Sequence, residues 1–235
     1  MRWFVCLEWK KGAGEDCLMT KRGLFVVFEG IDGSGKSTQI EMLAHHIRKL
    51  DKYNEYLLAR EPTFGAEELR RKLAQDKNAF SDGDEMALLY VNDGARHLGE
   101  LIEPVLKAGR IVLCDRYKLS TYAYQETQGV SRARLEDMHH LVGIYNPDLT
   151  FLIDVDAEVA HKRRIFRGEK LDKFEQGDFQ GKLIEKYREL VDYSRENPNF
   201  VGCVKVINGH KSKEDVFELI RTVFDSVYHA WKSIA

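Results

Sequence analysis

At 235 residues the chain is long enough to bury the core of one large α/β domain. Its 36 Lys+Arg against 38 Asp+Glu leave a net charge of −2, without the basic excess that a sheath for nucleic-acid backbone requires. No apolar run reaches the length needed to span a bilayer, so a polymeric nucleic acid and a membrane are both set aside as partners.

The N-terminal stretch "MRWFVCLEWKKGAGEDCLMTKR" lacks the sustained apolar segment of a signal peptide. The domain pattern begins at Leu24, so residues 1–22 are expected to form an extension, disordered or outside the native protein. On this reading the start lies at Met19, with residues 1–18 upstream of it; a short ordered arm is the alternative. Residues 23–235 read as a single domain, with no repeat, low-complexity tract or flexible linker.

Apolar runs then alternate with helical patterns. Leu24–Phe28 (LFVVF) is a continuous strand candidate, followed by a glycine loop and a helix from Ser37 to about Leu50. A second strand at Tyr56–Arg60 leads into "REPT", and a long helical region covers Asp84–Ala108. Arg110–Asp115 is the third strand, with helices through Gly143; Leu149–Val155 is the fourth. A charged helix and loop precede a helix near Phe179–Arg195. Cys203–Asn208 is the fifth strand, and Lys213–Ser233 closes the chain as a helix. Continuous apolar strands separated by helices predict a parallel sheet covered on both faces. The cysteines Cys6, Cys17, Cys114 and Cys203 form no CxxC pair. That pattern suits a reducing, cytoplasmic compartment and argues against a structural zinc site.

The segment "FEGIDGSGKST" carries the most chemistry. Gly30 to Ser37 matches GxxxxGK[ST] between an apolar strand and a helix, the context that a phosphate-binding loop needs. Backbone N–H groups from Gly30, Ile31, Asp32, Gly33, Ser34 and Gly35, with Thr38 at the helix start, would cradle phosphate oxygens at a helix N-terminus. Lys36 would reach the β/γ-phosphates, and the Ser37 hydroxyl would ligate Mg²⁺. Asp115 ends the third strand, where a carboxylate can join the Mg²⁺ shell; a helix N-cap is its other reading. ATP and Mg²⁺ are the expected ligands.

The ordered set of "EGIDGSGKST", "REPT" (Arg60–Thr63), "DRYKLSTYAYQ" (Asp115–Gln125), "PDLTFLIDV" (Pro147–Val155) and "RGEKLDKFE" (Arg167–Glu175) resembles the thymidylate kinases from about Leu24 to the C-terminus. The resemblance implies an α/β, P-loop nucleoside-monophosphate-kinase-like fold. That fold is a three-layer α/β/α domain with a five-stranded parallel sheet and a mobile lid at about residues 163–176. It also implies ATP-dependent phosphorylation of dTMP to dTDP, small-molecule nucleotides as partners, and a homodimer. Other outcomes are a kinase of another deoxynucleoside monophosphate, a sensor that binds nucleotide without catalysis, or a P-loop ATPase acting on macromolecules.

By the same resemblance Arg60 and Arg116 hold the acceptor phosphate, which guanidinium groups can do bidentately. Asp32 accepts a hydrogen bond from the acceptor sugar 3′-OH, or stabilises the loop as an Asx turn. Tyr124 packs below the sugar, and Ser120 and Thr121 are hydrogen-bond donors to base or sugar. In the lid, Arg163, Arg167 and Lys173 are candidates for the ATP phosphates, with Arg167 a catalytic candidate beside Lys36, Arg60 and Arg116. Asn208–Lys211 is expected to flank the adenine.

The resemblance breaks at one point. The family shows an aromatic residue and, four positions later, an arginine that contacts the thymine, ten residues before a proline. Counting back from Pro104 puts Tyr90 at the aromatic position, suited to stacking on a base, but Gly94 at the arginine. Arg96 is close in sequence, yet two residues of helix turn its side chain by roughly 200°. It can substitute only if the helix is irregular around Asn92–Gly94, which the interior glycine favours.

Overall fold

The computed structural model describes residues 22–168, 174 and 177–233. The expected extension therefore lies outside the described residues except for Arg22, as does Lys173 of the expected lid. Arg22 itself is anchored: its guanidinium donates to the Asp148 carboxylate at 3.0 Å, and its carbonyl accepts from the Trp231 indole at 2.9 Å.

Five strands form one all-parallel sheet in the order β2-β3-β1-β4-β5. They are β1 (Phe25–Glu29), β2 (Tyr56–Arg60), β3 (Ile111–Asp115), β4 (Leu149–Asp154) and β5 (Val204–Asn208). β1 and β3, in the middle, are buried along their whole length, and β4 nearly so. Side chains alternate between the faces of a strand, so a strand covered on both sides is apolar throughout. Val26, Phe28, Ile111 and Leu113 face α1 (Lys36–Leu50) and α9 (Lys213–Ser233). Phe25, Val27, Val112 and Cys114 face α3 (Gly83–His97) and its neighbours. A second core on that side joins α5 (Lys118–Thr127), α6 (Arg132–Leu141) and α8 (Gly177–Glu196).

This alternation decides where two strand-terminal carboxylates go. Asp115 continues the Ile111–Leu113 face and meets α1, whereas Glu29 continues the Phe25–Val27 face and meets α5. The loops after β1 and β3 leave neighbouring strands for opposite faces, and parallel sheets gather ligands at such a crevice.

Two differences from the sequence reading have physical reasons. Helix α2 (Glu67–Gln75) was not foreseen, because it buries only Leu69 and so lacks an apolar stripe. The helical region at Asp84–Ala108 is continuous but contains a π-helical turn, Leu98–Ile102, before α4 (Glu103–Lys107). Pro104 cannot donate to the carbonyl of Glu100 and crowds it, which a widened turn relieves. The irregularity thus follows Arg96 instead of preceding it. The charged helix appears as α7 (Ala157–Arg167), closed by Gly168 in the left-handed conformation. Among the described residues no helix is long and apolar enough to cross a membrane.

Candidate active site

The loop from Gly30 to Gly35 wraps the N-terminus of α1 so tightly that Gly30 and Gly33 have no room for a side chain. A Cβ on Gly30 would lie 2.6 Å from the Ile153 carbonyl oxygen, and one on Gly33 would lie 2.4 Å from that of Ala160. Both glycines also have positive φ. Lys36, 4% exposed, folds back across the loop and donates to the carbonyls of Gly30 and Ile31, each at 3.0 Å. Burial, then the nearby Arg116, push its ammonium pKa down; Asp32 at 3.7 Å and Asp115 at 4.0 Å oppose this.

Asp115 is the hub between the loop and the next two strands. Its Oδ2 accepts from the Ser37 hydroxyl at 3.3 Å and from the Arg60 guanidinium at 3.0 Å. Its Oδ1 is buried and accepts no hydrogen bond among the described residues. A hydroxyl and a carboxylate with a spare buried oxygen suit a hard cation that takes its remaining ligands from phosphate and water. Among the described residues there is no cluster of three or more His, Cys, Asp or Glu that could hold a metal ion.

Arg116 stands in the left-handed region at φ 70°, sparsely populated by non-glycine residues, while its N–H bonds the Phe28 carbonyl at 2.9 Å. The guanidinium donates to Asp32 at 2.7 Å, to Ser120 Oγ at 3.2 Å and to the Tyr187 hydroxyl at 3.4 Å, and lies 5.1 Å above the Tyr124 ring. Burial alone would raise the Asp32 carboxyl pKa, but Arg116 and Lys36 together hold it well below the carboxylate range. Asp32 thus stays ionised between two cations at the loop mouth.

Thr121 and Ser120 are buried on the first turns of α5. Tyr124, one turn on, meets Phe174 edge-on at 5.2 Å and Phe179 at 6.1 Å, so Phe174, in the stretch expected to form the lid, shares an aromatic cluster with it. Tyr90 is half-buried on α3 and packs on the same core. Thr38 is half-buried on α1.

The basic helix α7 divides its arginines. Arg163 braces the site, donating to the carbonyls of Ser34 at 3.1 Å and Gly209 at 2.8 Å. Arg164, which sequence reasoning passed over, is 5% exposed and adds to the positive field on Asp32. Arg167 is exposed on the last turn. Asn208 ends β5, and its side chain accepts from the N–H of His210 at 3.0 Å. Two further residues were missed. Glu29 is wholly buried, and burial pushes its carboxyl up to about 7 against the hydrogen bond from Ser120. Tyr187 of α8 reaches the same cluster. A carboxylate ending an otherwise apolar strand was the available signal for Glu29.

The model of the thymidylate kinase family matches residues 28–220 of the chain that carries this phosphate loop, the two arginines and the Asp115 hub. The chain belongs to the thymidylate kinase family. The thymidylate kinase of Dinoroseobacter shibae is 41% identical over 204 residues, covering 84% of this chain and 94% of the relative. That of Wolbachia pipientis from Culex pipiens is 35% identical over 203 residues, covering 84% and 96%. A probable thymidylate kinase of Thermococcus onnurineus is 35% identical over 201 residues, covering 82% and 93%.

Within this thymidylate kinase fold, α3 is regular through Arg96, whose guanidinium donates to Thr63 Oγ1 at 2.8 Å and Asp93 Oδ1 at 2.7 Å. Arg96 therefore ties the loop after β2 to α3, and the irregularity that would turn it elsewhere is absent. Position 94 faces a buried pair: a Cβ there would lie 3.5 Å from Glu61 Oε2, and Glu61 bonds His97 at 3.1 Å.

Proposed function

We propose that the chain phosphorylates dTMP to dTDP with ATP, using the crevice between β1 and β3. The observation that carries this reading is the junction of Arg116 with Asp32, which brings an acceptor-side guanidinium to the phosphate loop at 2.7 Å. Joining two polyanions needs charge neutralisation and alignment more than covalent help, and a phosphate oxygen is already a usable nucleophile. In this reading the loop N–H groups from Gly30 to Thr38 and Lys36 bind the ATP phosphates. Arg116 and Arg60 hold the acceptor phosphate in line with the γ-phosphorus. Bound Mg²⁺, held through Ser37 and Asp115, would neutralise phosphate charge.

Lys36 leaves two carbonyls, and Arg60 leaves Asp115, for stronger anionic partners, so the resting contacts pre-aim the cations without consuming them. Asp32 takes the acceptor 3′-OH. Tyr124 lies under the sugar, Tyr90 stacks on the base, and Thr121 donates to base or sugar, while the Ser120 hydroxyl proton is already given to Glu29. Arg163, Arg167 and Lys173 serve the lid, and Asn208 flanks the adenine. Lid closure would exclude water and spare ATP from hydrolysis. The enzyme is proposed to act in the cytoplasm as a homodimer.

The test is a coupled assay offering dTMP, dUMP, dCMP, dGMP and dAMP separately with ATP and Mg²⁺. Turnover greatest with dTMP is expected. Greater turnover of another monophosphate would reassign the acceptor, and none with any would make the chain a nucleotide sensor.

A further inference from the structure

The first turns of α5 hang from Glu29, a group the phosphoryl-transfer scheme does not use. Its two oxygens have separate tasks. Oε1 accepts the backbone N–H groups of Tyr117 at 2.9 Å and Ser120 at 3.1 Å. Oε2 accepts from the Ser120 hydroxyl, in a short bond, and from the Tyr187 hydroxyl at 3.3 Å. The two hydroxyls lie 2.8 Å from each other, and both also receive Nη1 of Arg116.

Each hydroxyl has one proton to give and two lone pairs to receive with. Against a carboxylate, Ser120 gives its proton to Oε2, and Tyr187 gives its own to Oε2 or to Ser120. Neither proton points at Arg116, so both oxygens meet the guanidinium as acceptors.

We propose that Glu29 is a positioning residue for the acceptor side, whose Oε2 sets the polarity of the Ser120 and Tyr187 hydroxyls so that they hold the Arg116 guanidinium toward Asp32. The proposal rests on the reading of Arg116 as the acceptor-phosphate ligand. Replacing Oε2 by a donor reverses the chain of bonds. An amide N–H₂ would donate to both hydroxyls, and one hydroxyl proton would then face a guanidinium that can only donate. Oε1 would still anchor α5. Protonation of Glu29 on Oε2 likewise turns an acceptor into a donor, toward one of the two hydroxyls. The charged and titratable groups facing Glu29 are Arg116 after β3, Lys36 of α1, Cys114 of β3 and Tyr187 of α8.

The experiment compares wild type, Glu29→Gln and Tyr187→Phe in steady-state kinetics, varying dTMP and ATP separately from pH 6 to 9, with thermal unfolding of each. In Glu29→Gln the KM for dTMP should rise about tenfold, as for loss of a hydrogen bond to a charged group. The KM for ATP should stay within about twofold. In wild type, kcat/KM for dTMP should fall as pH drops through about 7, where burial has lifted the Glu29 carboxyl, and the variant should lack that step. The substrate phosphate, ionising near pH ~6, bends both profiles alike, so the difference is the readout.

A carboxyl pKa raised in the fold from 4.5 to about 7 means that the folded state loses stability as pH rises between those two values. Glu29→Gln should therefore melt no lower than wild type at pH 8, with its advantage shrinking toward pH 5. Tyr187→Phe, which deletes a single hydroxyl, should raise the dTMP KM about threefold and serves alone if the Gln variant does not fold. An unchanged dTMP KM in a folded variant, or equal rises for both substrates with a lowered melting point, would overturn the proposal. Absence of dTMP turnover in wild type would instead overturn the functional reading, and the inference with it.

Discussion

Arg60 and Arg116 end neighbouring strands and point into one crevice, yet they are held very differently. Arg60 closes β2, an edge strand of half-exposed residues; its side chain is 66% exposed and, among the described residues, has one ion pair, to Asp115. Arg116 follows β3, which is fully buried; its side chain is 12% exposed and engages Asp32, Ser120, Tyr187 and the Tyr124 ring. The chain beyond Arg60 runs through a cis Glu61–Pro62 bond to Phe64, which is 87% exposed. The chain beyond Arg116 enters a helix buried on both sides. The central strand pre-sets its cation, and the edge strand leaves its cation free to follow the ligand. Preorganised donors contribute more to a transition state than mobile ones, because they need no rearrangement during the reaction.

Four substitutions would break or sharpen this contrast. Arg116→Ala should have the largest effect, lowering kcat/KM for dTMP on the order of 10³-fold in steady-state assays. Arg116→Lys should recover little of it, since an ammonium cannot reproduce the planar fork that meets three partners. Arg60→Ala should lower the same constant by about 10- to 100-fold, the range for one charge-assisted hydrogen bond. If the two arginines prove equal, the difference in their settings has no bearing on catalysis. The smallest effect is expected at Gly94, on the β2 side. The space there accepts a Cβ at ordinary contact distances of 3.5 to 3.7 Å, so Gly94→Ala should stabilise the fold by about 1 kcal/mol. That corresponds to a rise of about 2–4 °C in the unfolding temperature. A fall would mean that Glu61 and Ile144 cannot tolerate the added methyl group.

Much of this was legible in the sequence. The strands were readable because central parallel strands are apolar at every position, as FVVFE shows up to its last residue. The phosphate loop was readable because local backbone geometry demands its glycines, and Gly30 and Gly33 prove to have no room for a side chain. Helix α2 was hidden because a helix that buries one leucine has no period to detect. Arg164 was hidden because the basic run of α7 does not reveal which of its arginines turns inward. The role of Arg96 depended on whether α3 stayed regular, and Pro104 placed the wide turn after it.

What sequence alone determined is what local chemistry enforces: the alternating α/β pattern, the anion-binding turn with Lys36 and Ser37, and the set of motifs that marks the family. What tertiary structure decided is which distant groups share a proton or a charge. Glu29 and Tyr187 stand 158 positions apart, and Arg116 and Asp32 stand 84 apart, yet each pair is bonded. No rule of spacing joins them. They meet because a parallel sheet sets strands β1 and β3 side by side, and the alternation of their side chains sends one carboxylate to each face.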